Sequence, residues 1–308
     1  MAFTAADVKA LREKTGVGMM DCKKALTEAD GDMEKAIDVL REKGLAASAK
    51  KAGRIAAEGI VYAYTDAANK VSVLVEVNSE TDFVAKNEKF VNYVAAVAKT
   101  IAQSAPESVD ALLATTLAGD TRTVQENLQD MVLSIGENMK IRRFERVEGV
   151  AVDYIHGGGT VGVLVVFDTD DATAAKDAFK VMGRDVAMQV AAMSPAYLDE
   201  ASVPADVLEH EKSIMKAQLA EDPKMASKPE QVLAKIVDGR IGKFFKENCL
   251  LDQAFVKDGD MSVKQYVASV AKELGANIQV TGFIRYAKGE GLEKREDNFA
   301  DEVASMMK

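Results

Sequence analysis

Sulfur and imidazole are scarce in this chain. Its 308 residues include two cysteines, Cys22 and Cys249, and two histidines, His156 and His210. The cysteines are far apart and form no CxxC pair, which excludes a disulfide framework and points to free thiols in a reducing compartment. Neither histidine has a cysteine near it, so no metal-ligand spacing appears. No apolar run approaches the roughly 18 residues of a membrane span. The N-terminal stretch has neither a basic start nor an apolar signal core, so a cytoplasmic protein without membrane attachment is expected. Positive charge is in deficit: the net charge is −10 and the pI about 5.0. An acidic chain gains little from counterion release, and basic surfaces interleaved with aromatic stacking residues are lacking, which disfavours direct nucleic-acid binding. Local basic patches such as Lys50, Lys51 and Arg54 are the exceptions, and they allow an alternative reading as an RNA-binding ribosomal cofactor or a small adaptor.

Hydrophobic residues make up 48% of the chain and charged residues 29%, a soluble globular balance long enough for more than one packed unit. Residues 1–45 read as three short helices. Thr4 with Asp7 caps the first, Val8 and Leu11 face inward, and Gly16 breaks it. Cys22, Ala25, Leu26 and Ala29, then Met33, Ala36, Ile37 and Leu40, repeat at i, i+3, i+4, i+7, the stripe of a one-faced helix. Gly44 is placed to end the third helix, and residues 46–58 read as a helical or extended connector. Of the adjacent Met19 and Met20, one is expected in the core and one exposed as a soft contact.

Comparing the chain with itself reveals a repeat. Residues 59–78 align without a gap on 149–168 at an offset of 90, each copy reading as strand, tight turn, strand. Residues 136–144 align on 275–283 at an offset of 139. The second copy therefore holds about 49 extra residues, placed near 194–242. Four of the five prolines fall there, around two apolar stripes: Val207, Leu208, Ile214, Met215 and Leu219, then Val232, Leu233, Ile236, Val237 and Phe244. This predicts an antiparallel helical hairpin, an interaction arm, emerging from an α+β body. A short helix carrying Phe299, Val303, Met306 and Met307 is expected at the end of the chain.

Two motifs carry the functional question. In Asn78-Ser79-Glu80-Thr81-Asp82-Phe83-Val84, spacing alone makes Thr81 or Asp82 a helix cap and Phe83 a core residue. The repeat argues otherwise, because the equivalent loop, 169–172, has no aromatic residue. A phenylalanine required by the fold would be mirrored in both copies, so the asymmetry favours an outward, functional Phe83. The run His156-Gly157-Gly158-Gly159-Thr160 is followed by a strand and lacks a Lys-Ser/Thr pair, so it is not a phosphate loop, and no GxSxG accompanies it as an esterase would require. It reads as a hairpin turn, with His156 free to touch a partner. No acid–base pair or nucleophile constellation can be assembled, and the chain is not expected to be an enzyme.

The segments 11–26 (LREKTGVGMMDCKKAL) and 78–87 (NSETDFVAKN), with 134–144, 156–164 and 281–294, resemble the elongation factor Ts family, and the likeness covers essentially the whole chain. The resemblance implies a ubiquitin-associated-like three-helix domain (1–54), a core of two repeated α+β subdomains (55–146, and 147–193 with 243–286), a coiled-coil hairpin (194–242) and a C-terminal helical module (287–308). It implies guanine nucleotide exchange on elongation factor Tu, with Asp82 and Phe83, flanked by Thr81 and Val84, entering the GTPase near its magnesium-binding region. Ile135, Gly136 and His156 would line the contact around that wedge. Arg12, Met19, Met20 and Lys23 would grip a helix of the GTPase, and the stretch around Phe299 and Val303 would add contacts. No cofactor is implied, since GDP, GTP and magnesium belong to the partner. A homodimer through the hairpin is a further expectation.

Overall fold

In the computed structural model the described residues are 3–222, 225 and 228–294. The tail positions Phe299 and Val303, and the helix expected around them, lie outside this range.

The N-terminal helices are α1 (Ala5–Thr15), α2 (Met19–Glu28) and α3 (Met33–Lys51). Thr4 and Asp7 form a reciprocal capping box on α1, and Gly16 ends it at φ 71°. Leu11, Cys22, Ala25, Leu26, Ala36 and Leu40 make their shared core. Gly44 does not end α3, which runs on through the expected connector to Lys51. Gly44 is instead buried where α3 crosses the backbone of Gln129, so tertiary packing carries the helix past it.

The body is mixed α+β. Strands β1 (Glu58–Asp66), β2 (Val71–Ser79) and β3 (Met139–Glu148) form one antiparallel sheet in that order. Between β2 and β3 lie the short α4 (Asp82–Ala85), α5 (Glu88–Ser104), α6 (Val109–Ala114) and α7 (Val124–Ile135). The second sheet, ordered β4 (Val150–His156), β5 (Val161–Asp168), β8 (Gln279–Ala287), repeats the plan with α8 (Asp171–Ala174) and α9 (Asp177–Met193). Both sheets bulge at matching positions. Register shifts at Glu76/Val77 and leaves Arg142 unpaired, and it shifts at Val166/Phe167 and leaves Thr281 unpaired. These are the same offsets, 90 and 139, that the sequence repeat shows.

Phe90, Val94, Val97 and Ile101 of α5 cover the outer face of the first sheet, as Phe179, Met182, Val186 and Val190 of α9 cover the second. The inner faces meet through Val61, Leu74, Leu164 and Tyr286. Strand β2 is therefore buried at every position, helix on one side and sheet on the other. The extra residues of the second copy contain α10 (Ala205–Glu221) and α11 (Glu230–Asn248), packed on each other through Leu219, Val237 and Ile241. The arm's second helix thus runs six residues past the expected boundary at 242. After it come a small hairpin, β6 (Ala254–Phe255) with β7 (Asp258–Ser262), which the sequence does not announce, and α12 (Val263–Leu274). Among the described residues no helix is long and apolar enough to cross a membrane.

Candidate functional site

Where β2 ends, the chain makes the single turn α4, and Phe83 is left 80% exposed at its start. The reading of Phe83 as a core residue is therefore wrong. The inward position of the turn belongs to Val84, which is 4% exposed and packs against the first-sheet core. Val84 anchors the turn from inside. The second copy is one residue shorter before its turn, so α8 starts 89 residues after α4, and the matching inward and outward positions are Thr173, buried, and Ala172, exposed. The fold thus closes this turn equally well without an aromatic ring. Burying a phenylalanine stabilises by roughly 1.5–3 kcal/mol, a gain that Phe83 leaves unrealised within the chain.

The turn is braced from a distance. Thr81 sits at the N-cap position but makes no cap bond with its side chain. Its amide and hydroxyl instead donate to the two carboxylate oxygens of Glu137, at 2.9 and 2.7 Å. Glu80 reaches the other way and accepts from the Asn138 amide at 2.6 Å, with Arg54 paired to it at 3.4 Å. The Asn138 side chain donates to the Arg54 carbonyl at 2.9 Å. Asp82 is exposed and pairs with Lys86 at 3.0 Å, which holds its carboxyl below the usual range. Gly136 ends α7 at φ 90°, a conformation that favours glycine, and delivers Glu137 to Thr81. Half-buried Ile135 and exposed Gly136 thus adjoin the Phe83 turn through Glu137.

His156 is exposed at the end of β4, its Nδ1 3.1 Å from the Tyr154 hydroxyl. The turn after it rests on β1: the Gly159 carbonyl accepts from the Val61 amide at 2.8 Å, and a Cβ at Gly159 would come within 2.9 Å of Ile60. Lys288 ties this turn to the same end of the first sheet, donating from its amide to the Thr160 carbonyl and from its ammonium to Glu58. Glu58 is the register partner of Ser79, where β2 gives way to the Phe83 turn.

The three-helix domain docks on α7 and the start of α5. Arg41 pairs with Glu126, Lys51 donates to the Val132 carbonyl, and Gly16 lies against the Lys89 ammonium. Met19 and Met20 are both exposed, 41% and 63%, where one was expected inside. The inward face at the start of α2 is filled by Val17 and Cys22, so neither methionine is needed there. Arg12 and Lys23 are exposed on the same domain.

Sequence reasoning missed Glu80, Glu137, Arg54 and Asn138. The signal was present in the repeat, where Ala276 stands in place of Glu137. Among the described residues, no group of three or more histidine, cysteine or carboxylate side chains is placed to hold a metal ion.

A family model described as elongation factor TS matches residues 80–290, well over half of the chain. The chain is 52% identical over 307 residues to the elongation factor Ts of Clostridium perfringens, covering 99% of both chains. It is 50% identical over 314 residues to that of a Nitratiruptor species, covering both in full. The aromatic turn, its brace and this end-to-end similarity lead to one assignment: the chain belongs to the elongation factor Ts family.

Proposed function

We propose that the chain is a guanine nucleotide exchange factor that binds elongation factor Tu carrying GDP, promotes GDP release and leaves the GTPase open to GTP, acting in translation in the cytoplasm. The observation that carries this reading is the 80% exposed Phe83 ring on a turn fixed to the body, at a position where the other copy of the fold has alanine.

The physical logic is linkage. Factor and nucleotide each bind better to a GTPase conformation that the other disfavours, so each weakens the other by the same factor. Burial of the Phe83 ring in the emptied conformation alone supplies roughly 1.5–3 kcal/mol, and every ~1.4 kcal/mol is tenfold in affinity. Asp82 brings negative charge beside the ring, toward the partner's magnesium and phosphate site, where charge neutralisation holds the diphosphate. Met19 and Met20 offer adaptable apolar contact on the flanking domain, with Arg12 and Lys23 beside them. Ile135, Gly136 and His156 line the body around the wedge. The arm, with Ile214 and Val232 exposed, is a separate contact surface, for which a second copy of the chain is the proposed occupant. No bond is made or broken by the chain itself.

The test is release of a fluorescent GDP from purified elongation factor Tu. The chain at substoichiometric concentration should accelerate release by orders of magnitude. Release at the spontaneous rate across all concentrations would refute the proposal.

A further inference from the structure

Phe83 stands at the start of a helix of only four residues, too short to hold its own shape. The direction of the ring therefore depends on whatever fixes the turn from outside. Three hydrogen bonds do so, and they run in both directions between two chain segments. The Thr81 amide and hydroxyl donate to Glu137, and the Asn138 amide donates back to Glu80. Each involves an ionised acceptor, the stronger class of hydrogen bond.

The second copy of the fold does not build this. There Asp170 caps its own turn, accepting from the Thr173 amide at 2.9 Å and the Thr173 hydroxyl at 2.8 Å. Ala276 replaces Glu137, and the one bond between the matching segments is from the Thr169 hydroxyl to the Asn277 carbonyl at 2.8 Å. A local cap suffices where the outward residue is Ala172. The long-range acidic clamp is present only where the outward residue is the aromatic ring.

We infer that Glu137 and Glu80 form a reciprocal clamp that pre-orients Phe83 for insertion, with Glu137 a positioning residue for nucleotide exchange. The inference rests on the wedge reading. Ordering the turn before contact removes that cost from binding. Gly136 acts through the same device, since its left-handed backbone aims Glu137 at Thr81.

The experiment is a double-mutant cycle on the full chain, read by fluorescent-GDP release from elongation factor Tu. Glu137→Ala should slow release about tenfold, the scale of a lost charge-assisted pair, while Glu137→Gln, which keeps one acceptor, should recover most of the rate. In a Phe83→Ala background Glu137→Ala should add less than about twofold, because the ring it orients is gone. An undiminished loss in that background would overturn the clamp, showing that Glu137 acts independently of the ring. Should Glu137→Ala not fold, Thr81→Val removes the hydroxyl bond alone and should show the same dependence on Phe83. Amide hydrogen exchange without the partner separates this proposal from the wedge: the Thr81 amide should be protected in the wild type, largely protected in Glu137→Gln and open in Glu137→Ala. A Thr81 amide that exchanges freely in the wild type would refute the clamp even if Phe83→Ala slows release. Protection of that amide with a Phe83→Ala variant of normal rate would refute the wedge instead.

Discussion

The amide of Gly289 donates to Oε1 of Glu76 at 2.8 Å, inside the protein and across 213 residues of chain. Glu76 is fully buried on β2, where the second copy has Val166. Arg142 and Arg143 pair with it at 3.0 and 2.7 Å, and Asn78 donates at 3.1 Å. Arg143 also lies 4.0 Å over the Tyr286 ring of the second sheet. Gly289 is held at φ 67° so close to Ala57 that a Cβ would meet its carbonyl oxygen at 2.2 Å. This one carboxylate therefore fixes the segment after β8 against the first sheet, beside the Lys288–Glu58 pair at the root of the Phe83 turn.

Removing it should be costly. Glu76→Ala leaves two arginines without their shared partner, and breaking a buried pair typically destabilises by about 3–5 kcal/mol. Both arginines retain some solvent access, which places the expected loss near the lower end. Thermal or denaturant unfolding of the variant measures it.

The same group gives a pH signature. Burial alone would raise the Glu76 pKa, but hydrogen bonds from Gly289, Asn78, Arg143 and Arg142 outweigh it and hold the carboxyl below its ordinary value of 4.5. A depressed folded-state value means its stabilisation is complete above about pH 4.5 and is lost as pH falls through the folded-state value. Wild type should therefore lose more melting temperature than Glu76→Gln between pH 6 and pH 3, and parallel curves would contradict this.

Gly162 packs against the first sheet where the two sheets meet. A Cβ there would stand 2.5 Å from Val61 Cγ1 and 2.9 Å from Leu74 Cδ1. The first copy places the small residue Ser72 at the matching position, also buried. Gly162→Val should overpack this layer and destabilise by roughly 1–3 kcal/mol, read as a lowered unfolding midpoint.

The helical arm should be separable if cut at its roots. The Ala196 and Tyr197 amides both donate to the Asn248 carbonyl, the Leu250 amide to the Tyr197 carbonyl and the Leu251 amide to the Leu198 carbonyl, and Leu198, Leu250 and Leu251 join the second-sheet core, so residues 196–198 and 248–251 belong to the body's packing. Replacing 205–244 with a short glycine linker should leave the GDP release rate within about twofold and alter the sedimentation of the free chain. Loss of exchange by a folded variant would make the arm part of the exchange surface.

The repeat made much of this architecture legible. Gly59 and Gly149, Gly136 and Gly275, and the helical stripes of α5 and α9 are local signals that survive folding unchanged. Phe83 was legible only through the asymmetry between copies, since its spacing alone favours the interior. Gly44 misled because a glycine fit to end a helix is equally fit for a close helix crossing, and only the docking of α3 on α7 decides between them. Met19 and Met20 misled because Val17, from the preceding loop, takes the inward place at the start of α2. The Glu137–Thr81 and Glu76–Gly289 bonds join segments far apart in sequence, and no period or propensity encodes such pairs.

The central claim is that the Phe83 ring, rather than the body that carries it, drives nucleotide release. Phe83→Ala removes a side chain that is 80% exposed, so its melting temperature should stay within a degree or so of the wild type. Its stimulation of fluorescent-GDP release from elongation factor Tu should fall by about one to two orders of magnitude, the scale of losing one buried aromatic ring in the emptied state. A variant with unchanged melting and a wild-type release rate would contradict the account.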